Sequence, residues 1–495
     1  MDEDKTKLKT IDLPPYAPIL MESTRAIGYS LEAAIADVVD NSIAADATLI
    51  KLSFFPVDQE YVSILDNGWG MDADMLTTAM QYGSKNPEEK RSKKDLGRFG
   101  LGLKTASLSQ CRVLTVISKC DSKYECRQWD LDYVISTGTW SLKVLEREEF
   151  ERLPQFNELE MFESGTLVIW QQLDRMKVGS LDFNHSMGKK MDVVREHLSL
   201  VYHRYLNGER GIKKIQIEFN GVPIMPQDPF ITKKSQKPMD DETLRVKGKK
   251  CSITVKAYIL PHPSRLSQDE LNSLGGKDGL RRNQGFYIYR NKRLLVWGTW
   301  FKMLRKGEMS KLVRVQVDIP NELDELWTLD IKKSTAIPPE EIKANLQTII
   351  ERLSDNSKRT WTFRGKKQTS EKTIHVWNRL KTNNGGYIYE INREHPVVKN
   401  YLEENPSHKQ KLEVLLRQIE NNLPLDSIYI DQTNDVKIEN DKEHSIKDII
   451  NALQTILDTV NPEMHLDMLS QLIETEPFCN YKKEIDEAYK KGTLQ

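Results

Sequence analysis

Gly97-Arg98-Phe99-Gly100-Leu101-Gly102-Leu103-Lys104-Thr105-Ala106-Ser107 sets three glycines within six residues at the head of a helical stretch. Glycine lets consecutive backbone N–H groups converge, and at a helix N-terminus they form a nest suited to phosphate. The glycine order and the preceding segment are wrong for a dinucleotide fingerprint, and the Gly-Lys-Ser/Thr of a Walker A loop is missing. The polar run before it, Gly83 to Asp95 (GSKNPEEKRSKKD), carries five cationic side chains and reads as a lid over that nest.

Two further motifs lie upstream. Asp37-Val38-Val39-Asp40-Asn41 falls in a helix expected from about Ser30 to Ala44, with Leu31, Ile35, Val38, Val39 and Ser42 on an apolar stripe. Residues 37 and 41 stand at i and i+4, so both polar side chains share one face. Ala44 continues that face with a small side chain. A carboxylate beside a carboxamide can polarise a water and offer oxygen to Mg²⁺. Asp66-Asn67-Gly68-Trp69-Gly70-Met71 follows the strand expected at Tyr61–Leu65. There a carboxylate can accept a hydrogen bond from an exocyclic amine such as that of adenine, and glycines let the backbone approach a flat ring. Downstream, Ser164-Gly165-Thr166 opens another strand. Each motif alone has an ordinary reading as a solvated helix face or a tight turn. Four in one order within about 130 residues point to a nucleotide site.

Around these motifs the chain reads as three segments, in keeping with ~100–200 residues per domain. Residues 1–190 are α/β, with strands also expected at Leu49–Phe55, Arg112–Lys119 and Thr166–Gln171. Residues 198–345 carry strands at Lys214–Phe219, Ser252–Leu260, Gly285–Tyr289 and Leu312–Ile319. Residues 346–495 turn helical and polar, with amphipathic stretches at His408–Asn421, His444–Val460 and Met464–Glu474, after a first at Ala344–Leu353. No apolar run approaches the ~18–20 residues of a membrane span. Met1 to Thr10 is charged, unlike a signal peptide, and the five cysteines are odd in number and fit no zinc spacing. The expectation is a reduced, cytoplasmic protein.

A net charge of −1 hides an asymmetry. Ile231 to Arg314 holds 20 Lys/Arg against 7 Asp/Glu, an excess of 13 positive charges, whereas Tyr401 to Gln495 holds 10 against 19. A basic middle and an acidic tail suggest that the middle meets a polyanion, the alternative being a solvated basic surface.

Taken together, the motifs resemble the GHKL ATPases: gyrase B, the ninety-kilodalton heat-shock chaperones, histidine kinases and MutL with its MORC relatives. The resemblance is close over residues 15–175 and extends weakly to about 340. VVDNSIAADAT, LGRFGLGLKTAS and GFYIYRNKR are most similar to bacterial MutL- and MORC-like proteins. It implies an α+β fold: a Bergerat helix-over-sheet ATP-binding domain, a ribosomal-protein-S5-like transducer domain, and a mostly helical C-terminal region. It also implies cofactors, ATP and Mg²⁺. Asn41 resembles the family's Mg²⁺ ligand. Asp66, Gly68, Gly70 and Met71 resemble the adenine box, and Gly97, Phe99, Gly100, Gly102, Lys104 and Thr105 the lid and phosphate box. Thr166 resembles the last box, at the edge of the base. A lysine from Asp330-Ile331-Lys332-Lys333-Ser334 would reach the γ-phosphate, with Lys332 and Lys333 both open. The family's general base is usually Glu; here that position is Asp37, one methylene shorter, so slow hydrolysis is expected.

The resemblance further implies an ATP-dependent homodimer, with the basic 231–314 segment lining a channel for DNA. No nuclease motif of the MutL type is visible in residues 346–495, so a partner nuclease or helicase would do any cutting, and bacterial restriction or phage defence is the expected setting. A histidine kinase would need a phosphoacceptor helix upstream of a site that begins near residue 30. The alternatives that stand are a protein chaperone and an ATP-gated regulatory scaffold without nucleic acid.

Overall fold

The computed structural model describes residues 15–83 apart from 27, 102–246 apart from 180 and 181, 251–329 apart from 308, 309 and 325, 336–362, 374–381, 387–404, 406–424, 446–458, 465–475 and 478–490, with 11, 13 and 248 besides. The chain divides into two compact units, Met1–Thr362 and Phe363–Gln495.

The first unit opens with helices α1 (Ala17–Arg25) and α2 (Leu31–Ala44), then strands β1 (Leu49–Phe55) and β2 (Tyr61–Asp66). Helices α3 (Ala73–Met80) and α4 (Gly102–Leu108) follow, then β3 (Val113–Cys120), β4 (Lys123–Asp130), the short β5 (Lys143–Val144) and β6 (Gly165–Gln171). After the long helix Phe183–Val201 come β7 (Gln216–Phe219) and β8 (Val222–Pro223). These strands form one sheet in the order β5-β4-β3-β6-β2-β1-β7-β8. The strand expected in the second segment at Lys214–Phe219 is thus β7, which pairs in parallel with β1 and extends the first sheet.

Alternation along each strand sends side chains to opposite faces. Val62, Ile64, Leu114, Val116, Val168 and Trp170 pack under the helices, against Ile35, Val38 and Val39 of α2 and Met187, Met191 and Leu198 of the long helix. Leu65, Ile117, Leu167 and Ile169 point the other way, onto Phe150, Phe156 and Leu159. β-Branched and aromatic residues suit such a surface, and their burial contributes roughly 1.5–3 kcal/mol per large side chain.

The second sheet of this unit contains β9 (Glu242–Arg245), β10 (Ser252–Ile259), β11 (Gly285–Arg290), β12 (Arg293–Thr299) and β13 (Val313–Ile319), in the order β12-β11-β13-β10-β9. β11 and β13 run parallel. The helix expected at Ala344–Leu353 is longer, Glu340–Thr362, and packs on this sheet through Ile342, Leu346, Ile349, Ile350 and Leu353. Its i, i+4, i+7, i+8 spacing explains why periodicity located it. β9 escaped the sequence reading because Thr243 and Arg245 mix polar residues into a four-residue run, and β12 was not foreseen although residues 294–297 are all apolar.

In the second unit, the hairpin Trp377–Lys381 with Tyr387–Ile391 joins helices Pro396–Glu404, Lys409–Asn421, Ile446–Leu457, His465–Leu472 and Lys482–Lys490. Ile449, Leu453, Leu457, Met468, Leu472 and Ile485 form its core. Lys409–Asn421, Ile446–Leu457 and His465–Leu472 agree with the expected stretches within a few residues; the hairpin and the helices Pro396–Glu404 and Lys482–Lys490 were not foreseen. Among the described residues no helix is long and apolar enough to cross a membrane.

Candidate functional site

α2 begins after Ser30, whose extended backbone stops the helix, and packs between the sheet and the long helix. It is buried on more than the expected stripe: Ala34, Ala36, Asp37 and Asp40 are enclosed as well. Asp37 is buried, while Asn41, one turn on, is exposed. The Tyr29 hydroxyl donates to Asp37 Oδ2 at 3.1 Å. Tyr29 is itself held through its carbonyl, which accepts from Gln110 Nε2 at 3.2 Å. A Cβ built on Gly102, the first residue of α4, would stand 3.5 Å from Asp37 Oδ2. The carboxylate therefore faces the N-terminus of the helix that follows the glycine-rich stretch, where a positive dipole end favours anions.

Asp66 closes β2 and is 5 % exposed. Ser42 Oγ donates to its Oδ2 at 2.7 Å, and the Gly68 N–H donates to Oδ1 at 2.9 Å. A carboxylate offers about four acceptor sites, so with the Thr166 backbone also bonded to it some acceptor capacity is left. Burial pushes this carboxyl above its ordinary value, while the Ser42 hydroxyl and the Gly68 and Thr166 backbone pull it back. Asn67 points away and knits the turn, its Oδ1 accepting from Thr48 and Leu49 N–H, each at 2.9 Å.

Thr166 lies opposite Asp66 in the β2–β6 register and opposite Ser118 in the β3–β6 register. Ser118 Oγ is the hub between them. It lies 3.0 Å from Thr166 Oγ1, accepts from the Met71 N–H at 2.8 Å, and is 3.2 Å from the Gly165 carbonyl. The Ser164 hydroxyl donates to the Gly68 carbonyl at 2.7 Å. Asp66, Gly68, Met71 and Thr166, distant in sequence, are thus one hydrogen-bonded wall.

The glycines of this wall are there for contact. A Cβ on Gly68 would lie 2.8 Å from the Ala45 carbonyl, and one on Gly70 would lie 2.1 Å from the Lys119 carbonyl. Gly70 also has φ +72°, a left-handed conformation that costs other residues energy. Gly70→Ala should therefore destabilise the protein by more than ~1 kcal/mol, read as a lowered midpoint in chemical denaturation. A midpoint unchanged from the parent would show that this turn relaxes freely.

Lys104 is 1 % exposed, with Nζ donating to the Ala79 carbonyl at 2.9 Å. Its ammonium sits at the C-terminal end of α3, the favourable end of that dipole for a cation. Thr105 is buried beside it. Gly97, Phe99 and Gly100 of the nest, with most of the lid run, and Lys332 and Lys333 lie outside the described residues. Among the described residues no cluster of His, Cys, Asp or Glu has the makings of a metal site.

Tyr29, Ser42 and Ser118 were not anticipated. Ser42 sits on the expected apolar stripe, and its hydroxyl turns that stripe into the support of Asp66. Such partners are signalled only by a small hydroxyl residue at a position that periodicity assigns to the core.

No curated protein matches the chain. Residues 29–166, from the tyrosine that holds Asp37 to the threonine paired with Asp66 across the sheet, match the family model described as histidine kinase-, DNA gyrase B-, and HSP90-like ATPase, and this domain is accordingly of the GHKL ATPase type.

Proposed function

We propose that this chain binds Mg·ATP, hydrolyses it slowly to ADP and phosphate, and uses the cycle to close a homodimeric clamp on DNA. The observation that carries the ATP reading is Asp66, a buried carboxylate fixed at a strand end with acceptor capacity left, beside a turn whose glycines let the backbone pack closely. An amine-bearing base satisfies such a group. Asn41 fits a Mg²⁺ role, as an exposed carboxamide one turn from Asp37. Magnesium is usually held by one or two protein oxygens together with substrate phosphates. When bound, it would neutralise charge on those phosphates. Asp37 orients water, the nest at 97–102 takes the phosphates, and Lys332 or Lys333 reports the γ-phosphate to a transducer domain of ribosomal-protein type. The site is tested by ATPase rate with and without duplex DNA, alongside molecular mass with a non-hydrolysable ATP analogue. A chain that neither hydrolyses ATP nor binds the analogue would overturn the reading.

The DNA part rests on the basic segment, and the fold redistributes its charge. Arg290, Arg293, Lys311 and Arg314 are buried. Lys234, Lys237 and Lys256 pair with Glu270 or Asp241. Arg281, Arg282, Lys302, Arg305 and Lys306 remain exposed, and the Lys306 ammonium donates to the Arg282 carbonyl. Burial lowers Lys306, and so do Arg314 and Arg282 beside it, the mark of crowded positive charge. A polyanion relieves that crowding. Lys247, Lys249 and Lys250, also candidates for phosphate contact, lie outside the described residues.

Duplex affinity should fall steeply with salt, with a log–log slope near −0.9 per phosphate contact. Reversing Arg281 and Arg282 to Glu should weaken binding for all sequences alike and flatten that slope, leaving ATP binding unchanged. The buried and paired cations favour the second reading, a protein chaperone or ATP-gated scaffold without nucleic-acid contact. A protein that ignores duplex DNA at low salt, with and without analogue, decides for it. By analogy with bacterial MutL- and MORC-like proteins, we place the clamp in a restriction or phage-defence system, with a partner nuclease or helicase.

A further inference from the structure

Arg293 opens β12, the edge strand of the second sheet, yet its side chain belongs to the first domain. Its Nε donates to Asp40 Oδ1 on α2 at 2.9 Å, across 253 positions of sequence. The two side chains are 5 % and 1 % exposed. The Tyr202 hydroxyl lies 2.7 Å from Asp40 Oδ1 and equally close to the Ala36 carbonyl, so it donates to one or the other. The guanidinium also stands 5.9 Å from the centre of the Tyr202 ring. Burial alone would lower Arg293, but Asp40, Tyr202 and Asp37 together hold it above its ordinary value.

The joint extends beyond this pair. The Tyr205 hydroxyl donates to the Asn291 carbonyl at 2.6 Å, in the turn between β11 and β12. Arg204 pairs with Asp318 on β13 and with Glu209, which also takes Lys292 at 3.1 Å. One block, Tyr202–Glu209, is therefore bonded to α2 on one side and to the second sheet on the other.

A buried ion pair is a poor source of stability compared with apolar packing, and a fixed registry is its best-attested use. Asp40 lies three residues after Asp37 and one before Asn41. At 3.6 residues per turn the three fall within little more than one turn of a rigid helix, so whatever fixes the rotation of Asp40 fixes the other two. We infer that Arg293 is a positioning residue for hydrolysis: by gripping Asp40 it locks the rotation of α2, and hence Asp37 and Asn41, to the second sheet. Any turn of α2 on nucleotide binding is then passed to β12. Asp66 itself is carried by β2, so adenine recognition meets this linkage only through the Ser42 hydroxyl of α2, whose rotation can follow a small turn of the helix. The inference rests on the ATP reading above.

The test compares kcat, affinity for a non-hydrolysable ATP analogue, and hydrogen exchange of residues 293–299 with and without analogue. Three variants serve: Asp40→Asn with Arg293→Gln, which keeps a neutral bonded pair; Arg293→Lys; and Tyr202→Phe, which removes one hydroxyl from an intact core. In the double variant kcat should fall by ~10–10²-fold, as small misplacements of a catalytic group do. Analogue affinity should stay within about twofold, the signature of an interaction spent on turnover. The exchange response of residues 293–299 to analogue should vanish. Arg293→Lys and Tyr202→Phe should lie between the double variant and the parent, and Tyr202→Phe carries the test if the double variant does not fold. Parental kcat with only a lowered melting temperature would overturn the inference, as would kcat and affinity falling together. A parent chain without ATPase activity would instead defeat the ATP reading.

Discussion

Asp66→Asn should abolish nucleotide binding while leaving the fold intact. The bond this carboxylate offers an exocyclic amine is charge-assisted, roughly twice as strong as its neutral counterpart. The substitution removes the charge and turns one of the two oxygens into a donor, which repels another N–H. The local network tolerates the change. The new amide oxygen can keep accepting from the Gly68 N–H, and the Ser42 hydroxyl can rotate to accept where it now donates at 2.7 Å. The sign of the stability effect follows from burial, which raises the Asp66 carboxyl in the folded state. A raised acid contributes its stability below its unfolded value and loses it as pH rises through the folded one. Wherever the carboxyl is ionised the parent bears the cost of a desolvated anion that the amide lacks, and Asp66→Asn should melt at the parental temperature or above. Calorimetry with ATP and a thermal melt decide the matter together. Unchanged affinity would remove Asp66 from the base site, and a collapsed melt would make it structural.

How much of this was legible in the sequence depended on range. β1 was expected at Leu49–Phe55 and is found there, because its alternation is local. The three motifs were legible for the same reason: Asp37 and Asn41, or Asp66, Gly68 and Gly70, are fixed relative to each other by one helix or one turn. What periodicity does not carry is partnership between distant segments. Ser42 meets Asp66 across 24 positions, and β7 joins β1 although a long helix and five other strands intervene. Arg293 was counted as one unit of a basic excess, whereas in the fold its charge is taken by Asp40. Counting charges measures what a segment contains; burial decides what it shows. For the same reason part of the expected basic excess does not reach the surface: Arg290, Arg293, Lys311 and Arg314 are buried. The family resemblance drew on local motifs, and the matched residues, 29–166, span those of the first domain but not GFYIYRNKR or residues 330–334.

Asp37→Asn should leave Mg·ATP bound and lower turnover by ~10²–10⁴-fold, the usual loss of a general base. The geometry separates the two effects. Asp66 and the glycine turn lie on β2 and the residues after it, whereas Asp37 lies on α2. The Asp37 carboxylate instead accepts from Tyr29 and faces the first residue of α4, where phosphates would meet the helix N-terminus. Asparagine keeps an oxygen to accept the Tyr29 hydroxyl and is close in shape, so α2 should hold its place. It has no anion with which to take a proton from water. A nucleotide bound but not cleaved would keep the proposed dimer closed, so the variant should run at twice the monomer mass in ATP itself, where the parent needs a non-hydrolysable analogue. The shorter arm of aspartate also predicts that the parent is already slow, since its carboxylate starts one methylene further from the water than glutamate would. Tyr29 offsets part of that distance by holding the carboxylate in one orientation, and Tyr29→Phe should slow turnover without changing affinity. If Asp37→Asn hydrolyses ATP at the parental rate, the base lies elsewhere and the carboxylate beside Gly102 serves only to hold Tyr29.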